Sequence, residues 1–268
     1  MPARSTSPRV LVIVPAWNES ATVGATVQTL REAHPHYDVL VVDDGSGDDT
    51  AGRARESGAL VCQLPYNLGV GGAMRTGYRY AVRHGYDVAA QVDADGQHDP
   101  AYLAHLVDAL DLGGTSGAAP PGGTGEGRGA DIVIGARFAG LGDYRVGLAR
   151  GLAMRMLAVV LSRLAGTRLT DVTSGFRVVN RRAMTTFAVH YPAEYLGDTV
   201  ESLVIALRTG CAVTQVPVVM LPRAGGVASQ SPARAALYLV RAVVALGLAL
   251  VRRWPSTLEV EPAALERS

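Results

Sequence analysis

Three short apolar runs in this sequence each end in acidic or amide side chains. Residues 10–14 lead into Pro15-Ala16-Trp17-Asn18-Glu19, residues 39–42 into Asp43-Asp44-Gly45-Ser46, and residues 88–92 into Asp93-Ala94-Asp95-Gly96-Gln97-His98. Adjacent carboxylates repel unless a cation or hydrogen-bond donors offset them. Asp93 and Asp95, two apart on an extended segment, point to the same side. Hard oxygen ligands in that pattern suit Mg²⁺ or Mn²⁺ completed by phosphate oxygens. Taken singly, each group has a plainer account: Asp93 and Asp95 as a solvated turn, residues 43–50 as a turn and helix cap, Asn18–Ser20 as a cap. An EF-hand is excluded, because counting from Asp93 the sixth position is His98 rather than Gly and the twelfth Ala104 rather than Glu. The coincidence of three such groups behind successive apolar runs favours a site.

These groups need strands to carry them. Residues 10–14, 39–42, 60–64, 88–92 and 132–134 read as strands, and 20–33, 49–57, 71–84 and 100–111 as the helices between them. The alternation predicts an α/β fold with a mostly parallel central sheet flanked by helices. Such sheets bind ligands beyond the carboxyl ends of their strands, where the acidic groups fall. Further on, 145–165 reads as a helix, 167–179 as irregular with short strands, 198–208 as a helix and 213–219 as a strand.

Residues 113–129 are dominated by Gly and Pro without apolar periodicity, and read as a flexible surface insertion. Residues 232–254 read as a final helix. Its stretch 235–251 is apolar apart from Arg241 and falls short of the ~20 residues that a spanning helix needs. Arg234 before it and Arg252-Arg253 after it suit a helix lying at a membrane surface or docked on a small membrane-protein partner. An ordinary helix covering the sheet, or a contact in a homo-oligomer, fits the same residues.

Composition removes several function classes. All 25 basic residues are Arg, so no Schiff-base or P-loop lysine exists. The net charge of +1 gives no electrostatic reason to expect nucleic acid. Cys62 and Cys211 are far apart and form neither a disulfide framework nor a zinc motif. The polar start and the short apolar run at 10–14 do not make a signal peptide, so the chain is expected inside the cell. Residues 67–73 (NLGVGGA) do not make a dinucleotide fingerprint: they do not follow the first strand, and Met74 stands where the third Gly belongs.

PAWNES, DDGSGDDT, NLGVGGAMRTG, DADGQHDP, GARF and DVTSGFR occur in the order seen in family 2 glycosyltransferases. Over about residues 10–229 the chain resembles that family, and within it the dolichyl- or polyprenyl-phosphate mannose synthase branch. The resemblance implies a GT-A fold over 8–230, followed by the apolar helix at 231–254 and a tail at 255–268. It implies inverting transfer of a sugar from a nucleotide diphosphate donor, GDP-mannose or a UDP-sugar, to a polyprenyl phosphate at the cytoplasmic face of the membrane. Pro15, Trp17, Glu19, Val42 and Asp44 would hold base and ribose. Asp93, Ala94 and Asp95 would line the diphosphate, with Asp93, Asp95 and Gln97 at a Mg²⁺ or Mn²⁺ ion. Arg137 would contact the donor and Arg223 would meet phosphates. Two positions depart from the branch: Trp17 replaces the usual Tyr, and Gln230 follows Ser229 where Lys is usual.

A phosphomonoester whose second pKa is ~6 is already a nucleophile, so the resemblance does not demand a strong base. Asp171 is expected to orient the acceptor, or to act as a base toward a hydroxyl acceptor. Arg177 is expected to bind the acceptor phosphate, with an Asp171–Arg177 ion pair bracing the loop as the alternative. A sugar-1-phosphate nucleotidylyltransferase would carry a Gly-rich segment where residues 15–19 stand. A soluble or glycan acceptor, or a non-catalytic nucleotide-sugar-binding partner, are the other functions compatible with the motifs.

Overall fold

The computed structural model describes residues 7–112, 129–137, 148–192 and 198–222. The strands follow the apolar runs: β1 (Val10–Ala16), β2 (Asp38–Asp43), β3 (Leu60–Gln63), β4 (Val88–Gln91), β5 (Ile132–Arg137), β6 (Arg177–Asn180) and β7 (Val213–Val218). The helices are α1 (Val23–Ala33), α2 (Thr50–Glu56), α3 (Gly69–Arg83), α4 (Leu103–Asp108), α5 (Leu148–Ala165), α6 (Arg181–His190) and α7 (Asp198–Arg208). A 3₁₀ turn, Pro100–Tyr102, leads into α4 with Asp99 as its cap.

All seven strands form one sheet in the order β3-β2-β1-β4-β6-β5-β7. Every pairing is parallel except those of β6 with β4 and with β5. β-Branched and aliphatic residues occupy both faces of the central strands, because both faces are covered. Leu11 and Ile13 of β1 pack in one core with Met74 and Tyr78 of α3, Phe187 of α6 and Leu203 of α7. Val10, Val12 and Val14 pack in the other with Val27 and Leu30 of α1 and Leu106 of α4.

The topology fixes where a ligand can sit. From β1 the chain builds outward through β2 and β3, then returns to β4 on β1's other side. That reversal opens a crevice at the carboxyl ends of β1 and β4. The antiparallel β6 has its amino end at the same edge, with Gln91 of β4 and Ile134 of β5 both opposite Arg177. The loop leading into β6 therefore reaches the edge where the parallel strands finish.

The sequence reading needs adjustment in places. The helix expected over 100–111 is a 3₁₀ turn plus a short α4; the segment 167–179, expected to be irregular with short strands, leads into β6, and α6 follows where no helix was expected. Asn180 starts α6 by accepting from Ala183 N–H. Residues 113–128 of the insertion expected at 113–129, Arg223 and the helix expected at 231–254 lie outside the described residues. Among the described residues no helix is long and apolar enough to cross a membrane.

Candidate active site

The first two strand ends are laced together. Asn18, held at φ 55°, accepts from Gly47 N–H at 2.8 Å, and its own N–H donates to Ser46 Oγ at 2.9 Å. Glu19 N–H donates to Thr50 Oγ1, and Ser20 N–H to Asp48. Trp17, just past the end of β1, is 55% exposed, leaving aromatic surface open to a planar ligand. The Glu19 carboxylate is turned toward α1, where it accepts from Thr22 Oγ1 at 2.8 Å.

Asp43 and Asp44 are both buried. Asp43 accepts from Ser46 N–H and from Gln63 Nε2. The two Asp44 oxygens accept from Leu68 N–H at 2.8 Å and Gly69 N–H at 2.7 Å, the first amides of α3. Burial pushes the Asp44 carboxyl up, those two amides pull it down, and neighbouring Asp43 raises it further, for a net rise. Asp44, expected as a donor ligand, accepts from two amides at the start of α3, which suits a carboxylate at a helix amino end.

At two other expected positions only the main chain is left to meet a ligand. Val42 is fully buried in the core beneath α3. Ala94 is 4% exposed in the opposite core, and its carbonyl accepts from Thr26 Oγ1 at 3.0 Å.

β4 ends at Gln91, before the acidic pair, so Asp93 and Asp95 sit in a turn and not on an extended strand. The alternation argument for their common side does not apply. Gly96, at φ 74°, reverses the chain as only glycine does without strain. Gln97 N–H donates to Asp95 Oδ1 at 3.1 Å. Asp93 N–H donates to His98 Nδ1 at 3.0 Å, closing the turn. The Asp93 side chain is 41% exposed, while Asp95 is nearly buried. Gln91, fully buried below, directs Nε2 toward Asp93 Oδ1 at 3.4 Å and leaves its Oε1 without a partner. Gly175 lies so close that a Cβ there would stand 3.2 Å from both Asp93 oxygens.

No cluster of three or more acidic, His or Cys groups with metal-ligand geometry exists among the described residues. Two carboxylates and the Gln97 amide are thus a sparse, all-oxygen donor set with one carboxylate open to the crevice. That suits Mg²⁺ or Mn²⁺, which bind through one or two carboxylates and take phosphate oxygens for the rest.

Arg137, at the end of β5, is exposed, and its Nε lies 3.3 Å from Asp171 Oδ2. Asp171 also accepts from Thr173 Oγ1 at 3.1 Å, and its carbonyl accepts from Gln215 of β7. Arg177 does not reach this edge. Its guanidinium is buried and donates to the carbonyls of Ser174, Val172 and Thr199 and to Ser202 Oγ, each at 2.7–3.0 Å. It binds neither an acceptor phosphate nor Asp171; it staples the loop before β6 to α7. Beyond β7, Leu221 N–H donates to Gln97 O, and Met220 bridges His98. The sequence reading overlooked Gln91, Gly175 and Phe176 around Asp93; its signal was the direct continuation of DVTSGFR into a strand.

Against known proteins, a family model described as glycosyl transferase family 2 matches residues 11–184. A polyprenol monophosphomannose synthase of Mycolicibacterium smegmatis is 30% identical over 231 residues, covering 83% of this chain and 81% of the relative. An undecaprenyl-phosphate mannosyltransferase of Micrococcus luteus is 34% identical over 233 residues, covering 83% and 88%. Among solved structures, glucosyl-3-phosphoglycerate synthase from Mycobacterium tuberculosis, in complex with Mn²⁺, UDP and phosphoglyceric acid, aligns with a TM-score of 0.65 at 23% identity, over 91% of this chain and 79% of the other. That likeness establishes the GT-A-like α/β architecture.

Proposed function

The chain belongs to glycosyl transferase family 2, and on that premise we propose that it moves a sugar, mannose foremost, from a nucleotide-sugar donor to a polyprenyl phosphate. The observation that carries this reading is the shared edge: the ends of β1, β4 and β5 and the start of β6 bring Trp17, Asp93, Arg137 and Asp171 to one side of the sheet. The names of the two mannosyl-transferring relatives supply the acceptor class.

In the proposed reaction an oxygen of the acceptor phosphate attacks the anomeric carbon opposite the leaving group. The bond from that carbon to the diphosphate oxygen breaks, the nucleoside diphosphate leaves with the electron pair, and configuration inverts. No proton has to be removed, because a phosphomonoester with a second pKa of ~6 is largely a dianion at neutral pH. Trp17 offers a face to the nucleobase. Asp93, Asp95 and Gln97 would hold a divalent cation, which would supply positive charge at the departing diphosphate. Arg137 lends oriented donors to the phosphates, and Asp171 braces Arg137 rather than serving as a base. Arg223 adds a further cation to the phosphate region. The apolar sequence 235–251 with its flanking arginines keeps the enzyme at the membrane surface that holds its acceptor.

The test is transfer from radiolabelled GDP-mannose, UDP-glucose or UDP-N-acetylglucosamine to polyprenyl phosphate with Mn²⁺. A lipid-extractable product, lost with a chelator and in Asp95→Asn, is expected. Product confined to the aqueous phase would instead support a soluble acceptor.

A further inference from the structure

His98 is nearly buried, yet it lies beside the most exposed carboxylate of the turn. Its ring stacks on Phe176, with centroids 4.8 Å apart and planes 12° from parallel. Phe176 is itself fixed: it is buried, and its carbonyl accepts from Gly135 N–H of β5 at 2.8 Å. On one side of the imidazole, Nδ1 accepts the Asp93 N–H at 3.0 Å. That bond requires Nδ1 to be unprotonated, which places the hydrogen of the neutral ring on Nε2. On the other side, Nε2 faces Asp93 Oδ2 at 3.6 Å, too long for a hydrogen bond but near enough to favour one carboxylate orientation. Main chain at His98 bridges Met220, and Gln97 O accepts from Leu221 N–H.

We propose that His98 is a positioning residue for the cation site: it holds the Asp93 backbone through Nδ1, sets Nε2–H against the Asp93 carboxylate, and takes its own position from Phe176. The proposal rests on the reading that Asp93 and Asp95 bind a divalent cation. Outer groups that orient a metal ligand matter because they fix the ligand before the ion arrives; their removal typically costs 10–100-fold in affinity or activity. Here the same ring also joins the acidic turn to the loop that carries Asp171, so the donor and acceptor sides share one support.

Isosteric substitutions separate the two nitrogens from the ring. Asn places its amide oxygen where Nδ1 sits and can accept the Asp93 N–H. Gln reaches the Nε2 position but leaves that N–H without its acceptor. Phe keeps the stack on Phe176 and lacks both nitrogens. The measurement is Mn²⁺ binding by the full chain, followed by the loss of the free-ion electron paramagnetic resonance signal with GDP or UDP present. Melting temperatures and the Mn²⁺ dependence of kcat and KM are recorded alongside.

His98→Phe is expected to weaken Mn²⁺ at least ~10-fold, raising the metal concentration for half-maximal rate, while remaining folded. His98→Asn is expected to recover most of that affinity, and His98→Gln less. Affinity in His98→Phe equal to that of the unsubstituted chain would overturn the proposal, as would His98→Asn no better than His98→Phe. Absence of Mn²⁺ binding by the unsubstituted chain would overturn the cation reading, and this proposal with it. Mn²⁺ binding by the unsubstituted chain with no weakening in any of the three variants would overturn the proposal alone.

Discussion

Replacing Arg177 should cost stability and leave acceptor affinity alone, although its place in DVTSGFR suggests a phosphate ligand. Its guanidinium donates to three main-chain carbonyls, those of Val172, Ser174 and Thr199, and to Ser202 Oγ. Arg177→Met keeps most of the volume and removes every donor. A hydrogen bond contributes about 1 kcal/mol net, more when one partner is charged, and a stranded buried acceptor costs about 1–3 kcal/mol. Three carbonyls at the low end give about 3 kcal/mol. Removing a buried charge returns some desolvation energy, which keeps the total from rising toward the upper end. At about 2–4 °C per kcal/mol for a protein of this size, the melting temperature should fall by about 6–12 °C.

Calorimetry on Arg177→Met and Arg177→Lys measures the loss. Lys retains the charge but cannot span the fork of acceptors, so it should recover only part. At a temperature where both variants are folded, KM for polyprenyl phosphate should match that of the unsubstituted enzyme. An unchanged melting temperature together with a raised acceptor KM would refute the reasoning and restore the phosphate role.

Gly175→Ala would set a methyl 3.2 Å from both oxygens of Asp93; Mn²⁺ affinity should drop about 10-fold with little change in melting temperature, and unchanged Mn²⁺ titration would contradict the close approach. Replacing residues 113–128 by a short Gly/Ser linker should barely alter the melting temperature, because Asp111 N–H donates to Ala130 O and Leu110 bridges Ala130, so the ends of the segment are already joined and closure entropy varies only logarithmically with length; a large loss in calorimetry would show that the segment packs on the domain. At Asp48 burial raises the carboxyl pKa, but hydrogen bonds from Thr50 and Ser20 outweigh it and leave the group below the usual carboxylate range. Its contribution is therefore full above the ordinary carboxyl pKa and fades as pH falls through the lowered value, so the stability gap between the unsubstituted chain and Asp48→Ala, read by denaturant titration, should be constant near neutrality and narrow in acid.

β1, β2, β4 and β5 were legible because a covered parallel strand reads as an unbroken apolar run, and theirs were bounded by turn residues; β3 and β7 were legible too, β7 despite Thr214 and Gln215. β6 was legible only as a short strand within 167–179 and α6 not at all, because β6 is four residues long and opens with Arg177. A charged residue breaks the apolar pattern, and carbonyls that satisfy it from α7 and a preceding loop leave no mark in sequence spacing. α6 carried a signal that the reading passed over: the Asn180 cap, then apolar Ala183, Met184, Phe187 and Ala188 on one face.

The site shows a different limit. Residue types located the crevice edge correctly, since carboxylates and amides collect after β1, β2 and β4. They could not separate ligands from scaffold within each motif. Asp44 accepts from two amides at the start of α3, while the Val42 and Ala94 side chains are packed in the two cores, and neither arrangement is written in residue type.

The antiparallel strand is the feature that completes the arrangement. In an all-parallel sheet the loop entering a strand lies at the far edge, away from the carboxyl ends. Reversing β6 brings residues 171–176 beside the acidic turn, and the register Gln91 opposite Arg177 fixes their separation. Two contacts then tie the halves together, Gly175 against Asp93 and Phe176 against His98, while Arg177 anchors the same loop from below to α7. A displacement on the Arg137–Asp171 side thus reaches the acidic turn through packed atoms rather than through a chain of charges. In this arrangement a glycine, a phenylalanine and a histidine decide how well two carboxylates can serve a cation that none of the three needs to touch.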